Sequence, residues 1–277
     1  MDKRYRIMVL IAITVAAVAY TRSLPPIAQA ATYNNFADHR NFLGITNFLD
    51  VASNAPFLFV GLSGLFVTFN WSTTFRAVSE RWPHAVFFMA MALTFAGSNW
   101  YHLHPDNARL VWDRLPMTLG FISILSAVLA ERVSLKAGVV ALPLLVSAGI
   151  ASVAYWHMTE VRGHGDLRPY SLVQFGSLLI VLVTLLLFRS PYTQQKWFFF
   201  ALAAYVIAKA LETFDQAVYA GLRLLSGHTL KHLAAAAAAY CIAQMLRQRS
   251  MADPASRPAP AAELFLEPRS QAIRRTF

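Results

Sequence analysis

Residues 97–117 read GSNWYHLHPDNARLVWDRLPM and lie between two long apolar runs. They place a serine, two histidines and two aspartates at or near a membrane boundary. Ionisable groups at that depth are costly and by default indicate a functional site. A second polar stretch, SGHTLKH at residues 226–232, opens the last apolar run. We expect the two stretches to meet in the folded protein and to hold a metal ion between them.

The composition around these stretches is that of a helical membrane protein. The chain has 277 residues, of which 57% are hydrophobic and 14% are charged. A soluble domain would carry about 25% charge. The apolar residues come in runs of about 17–25, the length that a bilayer-spanning helix needs. Open sheets cannot span lipid because their edge amides would stay unpaired, so we predict an all-α, polytopic transmembrane protein.

Seven apolar runs predict a seven-helix transmembrane bundle. Their expected bounds are 47–70, 84–102, 114–131, 137–156, 170–188, 197–218 and 228–246. Lysine and arginine are most frequent in alternate loops, which marks those loops as cytoplasmic. This distribution accounts for the net charge of +10 without a nucleic-acid partner. The protein is expected to be a multi-pass integral membrane protein, in the inner membrane if the chain is bacterial.

The two ends of the chain differ from the bundle. Residues 1–32 combine a basic start, a short apolar run and an A-x-A at 28–30. They predict either a cleavable signal peptide or an extra signal-anchor helix, and both give the same orientation. Residues 33–249 form the expected membrane domain. Residues 250–277 are rich in proline, alanine and charge, which predicts a disordered cytoplasmic tail.

This topology brings the two polar stretches to one face of the bundle. His102 ends an outward-going span, and Asp113 begins the next inward-going one. His228 and His232 begin the last inward-going span and share one helix face, because they are four residues apart. All four residues are therefore expected at the non-cytoplasmic face.

Three imidazoles and one water would form the open tetrahedral site that is typical of catalytic zinc. Zinc lowers the pKa of such a water towards ~7. Asp113 could take the proton of that water and pass it to a leaving amine. Ser98 lies four residues before His102, and its hydroxyl could donate to a developing oxyanion. An H-x-x-x-H pair alone is a weak signal, so this hypothesis depends on the whole set.

The ordered set of motifs resembles the alkaline ceramidase family. The motifs are SNWYH, then the aspartate of WDRLPM, then HTLKH. LDVASNAPF at residues 49–57 is similar to the signature on that family's first helix. The resemblance covers roughly residues 36–246, in order and with matching spacing. The family belongs to a larger seven-helix superfamily that includes the adiponectin and progestin receptors.

The resemblance implies a zinc-dependent intramembrane amide hydrolase. Such an enzyme cleaves ceramide-like membrane lipids to a long-chain base and a fatty acid. By position, the resemblance implies that His102, His228 and His232 bind zinc. It also implies catalytic roles for Ser98 and Asp113.

Other functions remain open at this point. A zinc-stabilised receptor or lipid-binding membrane protein would use the same fold without turnover. A transporter is less favoured, because the sequence has no inverted repeat or pair of Gly/Pro-broken helices. Three histidines and a water could serve an ester as well as an amide. The sequence leaves the acyl length and the oligomeric state open.

Some members of the family bind calcium just before the first bundle helix. The corresponding stretch here is FADHRNFLGITN, in which Asp38 is the only acid. Asn41 and Asn47 could add oxygen atoms, but calcium needs about six to eight oxygen ligands. The sequence therefore argues against Ca²⁺ at this position.

Lys209, Glu212 and Asp215 recur at a helical spacing on the sixth predicted span. They predict either an internal ion pair or support for the zinc histidines, which commonly donate their other ring nitrogen to a carboxylate.

Other polar and aromatic residues have simpler interpretations. His104 is expected in a loop or at the rim of the site. Trp156 and Tyr170 are expected to be anchors at the membrane interface. Asn54 and Gln174 are expected to form hydrogen bonds between helices.

Overall fold

The computed structural model describes residues 2–253, and all the regular elements in that range are helical. This confirms the all-α class. The α-helices are α1 (Lys3–Ser23), α2 (Phe48–Ala52), α3 (Ala55–Phe69), α4 (Arg81–Leu103), α5 (Asn107–Arg132), α6 (Leu135–Val161), α7 (Arg168–Ser171), α8 (Ser177–Leu187), α9 (Lys196–Thr213), α10 (Asp215–Leu222) and α11 (Gly227–Gln248). A π-helical turn, Leu172–Gly176, joins α7 to α8.

Five helical segments in the described residues are long and apolar enough to cross a membrane. They are α1, α2–α3, α5, α6 and α7–α8, and the bent pair α9–α10 would make a sixth. The helices α4 and α11 have 23 and 22 residues, or about 33 Å at 1.5 Å per residue. They are long enough to span but less apolar, because they carry most of the polar residues of the candidate site. By length and composition, the fold is compatible with a multi-pass membrane protein.

The sixth predicted span, 197–218, is not one straight helix. The helix α9 ends at Thr213, and α10 leaves it at an angle of 81°. The carboxylate of Asp215 stands at this corner and accepts the backbone N–H groups of Ala37 at 2.9 Å and His228 at 2.7 Å. These bonds to distant parts of the chain account for a corner that the apolar composition does not indicate.

The first predicted span, 47–70, is also interrupted. The helix α2 ends at Ala52, and α3 begins at Ala55 with Pro56 in its first turn. Proline is tolerated there because the first N–H groups of a helix have no partner within it. The side chains at the break reach neighbouring helices: the Ser53 hydroxyl lies 2.8 Å from His232 Nδ1, and Asn54 donates to Asn99 at 3.1 Å.

The helices α3, α4, α5 and α6 pack side by side in chain order, and α11 closes the bundle against α3 and α9. The helices α4 and α5 approach most closely beside the candidate site. A Cβ atom at Gly97 would lie 2.0 Å from the carbonyl oxygen of Trp112, so only glycine permits this distance. Small residues commonly allow such contacts between membrane helices.

The helix α1 lies at the periphery and buries only Leu10 among its residues. The linker after it is held against the bundle by several hydrogen bonds. Arg168 Nη1 donates to the carbonyl of Leu24 at 2.6 Å, and the Leu167 N–H donates to the carbonyl of Ile27 at 2.8 Å. Arg114 Nη2 donates to Gln29 Oε1 at 2.6 Å. Residues 24–29 therefore contact the bundle in the uncleaved chain.

The first residues after α11 are hydrogen-bonded to the loop between α8 and α9. Ser250 and Ala252 form backbone hydrogen bonds with residues 191–193. The start of the predicted disordered tail, 250–277, is therefore ordered. The rest of that prediction, residues 254–277, lies outside the described residues.

Candidate metal centre

Three histidine side chains converge between α4 and α11. His102, His228 and His232 are only 0%, 4% and 2% exposed. One nitrogen from each ring lies within 4.8 Å of the other two. Within residues 2–253 this is the one cluster of three or more His, Cys, Asp or Glu side chains close enough to hold a metal ion.

The spacing of the rings fits a tetrahedral metal site. Zinc–nitrogen bonds of about 2.0–2.1 Å at tetrahedral angles separate two ligand nitrogens by about 3.3–3.4 Å. The Nε2 atoms of His102 and His228 are 3.3 Å apart. The ring centroids of the three histidines are 4.8–4.9 Å apart, in an almost equilateral arrangement. The cluster can hold a metal ion, and its donors are three neutral imidazoles.

The first turn of α11 is fixed by its local sequence. Ser226 is the N-cap, and its hydroxyl accepts the N–H of Thr229 at 2.9 Å. Asp215 accepts the N–H of His228. A Cβ atom at Gly227 would lie 2.2 Å from the carbonyl oxygen of Leu211, so glycine lets α11 start against the end of α9. These contacts set the rotation of α11 and aim both of its histidines inward.

His232 is oriented by a residue that the sequence analysis did not single out. Its Nδ1 lies 2.8 Å from the hydroxyl of Ser53, in the break between α2 and α3. Histidines that bind metal ions usually engage their second ring nitrogen in this way. The bond leaves Nε2 as the nitrogen that can bind the metal. The polar face of LDVASN, with Asp50 and Ser53 three residues apart, was the available signal.

His102 is held at the last turn of α4. The side-chain amide of Asn47 donates to the His102 carbonyl at 2.8 Å, and the Thr46 hydroxyl donates to the Leu103 carbonyl at 2.5 Å. Carbonyls at the end of a helix have no partner within the helix, so these two bonds satisfy them. Asn47 has a φ of 48°, in the left-handed region that asparagine tolerates better than most residues.

Ser98 and Asp113 lie together beside the cluster. They are 2% and 5% exposed, and their side chains lie close enough to interact. Asp113 also shares one cavity wall with His232. The structure thus brings together the two residues that were expected to act in catalysis, and their roles remain predictions.

An apolar cavity begins at Asp113 and His232 and runs between the helices. Its volume is about 130 Å³, and it is partly open. The far end is lined by Phe198 and Ile242. Ile242 is ten residues beyond His232 on α11, which corresponds to about 15 Å along the helix. The walls between the two ends are lined mainly by phenylalanine, leucine, methionine and alanine.

A polar opening lies on the other side of His228. It is lined by residues of the segment before α2, including Tyr33 and Phe36, and by Glu212 and Asp215 at the α9–α10 corner. The Phe36 ring covers the cluster, with its centroid 4.4 Å from that of His228 and 4.7 Å from that of His102. The cluster therefore lies between an apolar cavity and a polar opening.

Lys209, Glu212 and Asp215 were expected to form an ion pair or to support the histidines, and the structure shows different roles for different members of the group. Lys209 forms an ion pair with Glu212, which confirms that interpretation for the pair. Glu212 also binds Nζ of Lys231 at 3.0 Å. Asp215 supports the backbone of His228 rather than its ring.

The residues considered for calcium have other partners. Burial raises the pKa of Asp38, but hydrogen bonds from Arg40 outweigh it and keep that pKa below its ordinary value. Arg40 Nη2 lies 2.6 Å from Asp38 Oδ2. Asn41 is exposed, and the Asn47 amide holds the end of α4.

One expectation about aromatic residues is wrong. Trp156 and Tyr170 are 0% and 7% exposed rather than anchors at the interface. Their rings lie 4.1 Å and 4.7 Å from the guanidinium carbon of Arg114. They are buried because they surround this inward-facing cation.

Three smaller expectations are confirmed. His104 is exposed and lies just after α4. Asn54 donates to Asn99 on α4 at 3.1 Å. Gln174 donates to the Tyr205 hydroxyl on α9.

A scan against protein-family models finds no family that matches the chain, and a search of curated proteins finds none that matches it. The fold and the site therefore define the class by themselves: a helical protein with five to six segments long and apolar enough to cross a membrane and a buried three-histidine cluster able to hold a metal ion.

Proposed function

We propose that the protein is a zinc-dependent intramembrane hydrolase. It cleaves the amide bond of ceramide-like N-acyl lipids and releases a fatty acid and an amine. The observation that carries this proposal is the convergence of three buried histidines at the head of an apolar cavity, where Asp113 also lies. The resemblance of the sequence motifs to alkaline ceramidases supports the choice of an amide.

The donor set favours zinc. Three imidazoles without a thiolate suit a catalytic zinc ion, which keeps its fourth position for water. A closed structural site would more often have a fourth protein ligand. Bound zinc supplies a Lewis acid for the acyl carbonyl and lowers the pKa of water towards ~7. His102, His228 and His232 would hold it.

The residues of the chain account for the proton transfers. Asp113 accepts a proton from the attacking water and later delivers it to the nitrogen as the carbon–nitrogen bond breaks. Water contributes the new oxygen of the fatty acid and the second hydrogen of the amine. Ser98 lies close enough to Asp113 to orient its carboxylate. In the oxyanion role that the sequence predicts, the same hydroxyl would turn towards the acyl oxygen.

The two spaces beside the cluster suit the two parts of a lipid substrate. An apolar chain fits the cavity that ends at Asp113 and His232. The opening beside His228 is polar and could admit water or a headgroup. A lipid placed in this way would bring its polar linkage to the histidines while its chain remains away from water.

The proposal includes seven membrane-spanning segments around the site, preceded by α1. The two less apolar helices, α4 and α11, would span within the bundle, where their polar residues face one another rather than lipid. The enrichment of lysine and arginine in alternate loops supports a site at the non-cytoplasmic side. In a bacterium that side would be the periplasmic face of the inner membrane.

Turnover by the purified protein tests the proposed function. N-acyl lipids and ester lipids with the same acyl chain would be compared, each with and without a chelator. We expect the amide lipid to be hydrolysed and the chelator to abolish the reaction, with recovery after zinc is added. Cleavage of the esters alone would contradict the amidase assignment. A lipid that binds without cleavage would favour a receptor.

A further inference from the structure

Lys231 lies between the two histidines of α11 and faces the same space. Its side chain is only 12% exposed. Its Nζ atom lies 3.0 Å from Glu212 Oε1 and 3.3 Å from His228 Nε2. It lines the head of the apolar cavity together with Asp113 and His232. An ammonium group therefore stands beside both the histidines and the carboxylate that the proposed reaction uses.

A buried ammonium group is costly unless it is paired and hydrogen-bonded. Glu212 supplies the pairing, but it also binds Lys209, so one carboxylate serves two ammonium groups. Asp215, the other acid nearby, is engaged by two backbone N–H groups. A lysine carries three N–H donors, of which Glu212 accepts one, and His228 Nε2 can accept a second only while it binds no metal ion. The third donor can serve a ligand in the cavity.

We propose that Lys231 binds the acyl oxygen of the lipid, as the carbonyl of the substrate and as the carboxylate of the fatty-acid product. This inference rests on the proposed function and adds a specificity-determining residue to it. Lysine has donors only, so it selects an oxygen and repels a protonated amine. Asp113 can accept a proton and pass it to the amide nitrogen, so it faces the nitrogen side of the bond. The two side chains together set the direction in which the amide bond lies across the site.

Glu212 has a positioning role in this arrangement. It holds the ammonium group of Lys231 at the cavity wall. Lys209 binds the same carboxylate but is 36% exposed and does not line the cavity. Lys209→Met is therefore a matched control: it removes one positive charge from the same ion-pair network without touching the cavity.

Binding of a long-chain fatty acid tests the proposal without turnover. Displacement of a fluorescent fatty acid would be measured on the purified full-length protein, with and without chelator, for a carboxylate and for the primary amide of the same length. We expect Lys231→Met to weaken binding of the carboxylate by about 10- to 100-fold, as expected for loss of a charged hydrogen bond. Binding of the amide should weaken less. Lys231→Arg should keep most of the affinity, and Lys209→Met should change it by less than about threefold.

Metal affinity of the same variants separates this role from a structural one. A positive charge 3.3 Å from His228 Nε2 opposes a second cation there. Lys231→Met should therefore bind zinc as tightly as the wild type, or more tightly, in competition with a chelator. Unchanged carboxylate binding in Lys231→Met would overturn the proposal, as would an equal loss in Lys209→Met. If the carboxylate binds through Lys231 but no lipid is cleaved, the hydrolase function fails and the binding site stands.

Discussion

The hydroxyl of Ser53 lies 2.8 Å from Nδ1 of His232 and joins the break between α2 and α3 to the three-histidine cluster on α11. The Ser53 hydroxyl also lies 3.1 Å from the backbone carbonyl of Asp50, to which it donates. This bond fixes which ring nitrogen of His232 remains for a metal ion. The first bundle helix thus takes part in the site although it supplies no proposed ligand.

Ser53→Ala is expected to weaken zinc binding without removing a ligand. Loss of such a supporting bond typically costs about 10- to 100-fold in metal affinity or activity. Competition with a chromophoric chelator would measure the change. Ser63→Ala is the control, because that hydroxyl donates only to the Val60 carbonyl of its own helix, at 3.2 Å. Equal zinc affinity in Ser53→Ala and the wild type would contradict the role of Ser53.

Removal of any one of the three histidines should remove metal and activity together. His102→Ala, His228→Ala and His232→Ala would be analysed for zinc content after purification. His84→Ala is the control, since His84 is a buried histidine of the same helix as His102 but bonds to the Glu80 carbonyl at the opposite end. Zinc retained at full stoichiometry in two of the three site variants would mean that the metal is bound elsewhere.

Asp113→Asn should keep zinc and lose most turnover. The loss expected for a general acid–base is about 10²–10⁴-fold. Asp106→Asn, at the exposed N-cap of the same helix, should remain active. If Asp113→Asn lost its zinc, Asp113 would be a ligand or a support for one, not the proton carrier.

Ser98→Ala should also keep zinc, with a loss of about 10²–10³-fold if the hydroxyl stabilises an oxyanion. Because the Ser98 and Asp113 side chains lie close enough to interact, the two substitutions should not be additive. The double variant should be little slower than Asp113→Asn alone. Full additivity of the two losses would show that the residues act independently.

The mature protein is expected to retain the linker after α1. Cleavage after Ala30 would remove Gln29, whose side-chain oxygen accepts a hydrogen bond from Arg114. The guanidinium group of Arg114 is packed against aromatic rings, including that of Trp156. It would also remove the carbonyls of Leu24 and Ile27 that bind Arg168 and Leu167. The intact mass of the protein purified from membranes should therefore correspond to a chain that includes residues 24–30. A mass equal to that of a chain starting at Ala31 would identify residues 1–30 as a signal peptide.

The helical class and the histidine cluster could be predicted because their signals are local. Hydropathy shows apolar runs directly, and a spacing of four residues places His228 and His232 on one face. The topology then brings His102 to the same end, so that three positions far apart in the chain could be expected to meet. The structure places them together as expected.

The features that sequence reasoning missed depend on contacts between distant segments. The corner after Thr213 is fixed by Asp215 through the backbones of Ala37 and His228, and no local break signal marks it. Ser53 binds a ring 179 residues away. Trp156 and Tyr170 look like interface anchors by residue type, but both are buried because their rings pack against the guanidinium group of Arg114.

The central claim is most directly tested by the products that the purified, zinc-loaded protein releases from an N-acyl lipid. Mass spectrometry would quantify fatty acid and amine in the same sample, beside a chelator-stripped sample and Asp113→Asn. We expect equal amounts of both products from the zinc-loaded wild type, none above background after stripping, and a rate at least about 10²-fold lower in the variant. Stoichiometric zinc with bound but uncleaved lipid would contradict the proposed hydrolase function.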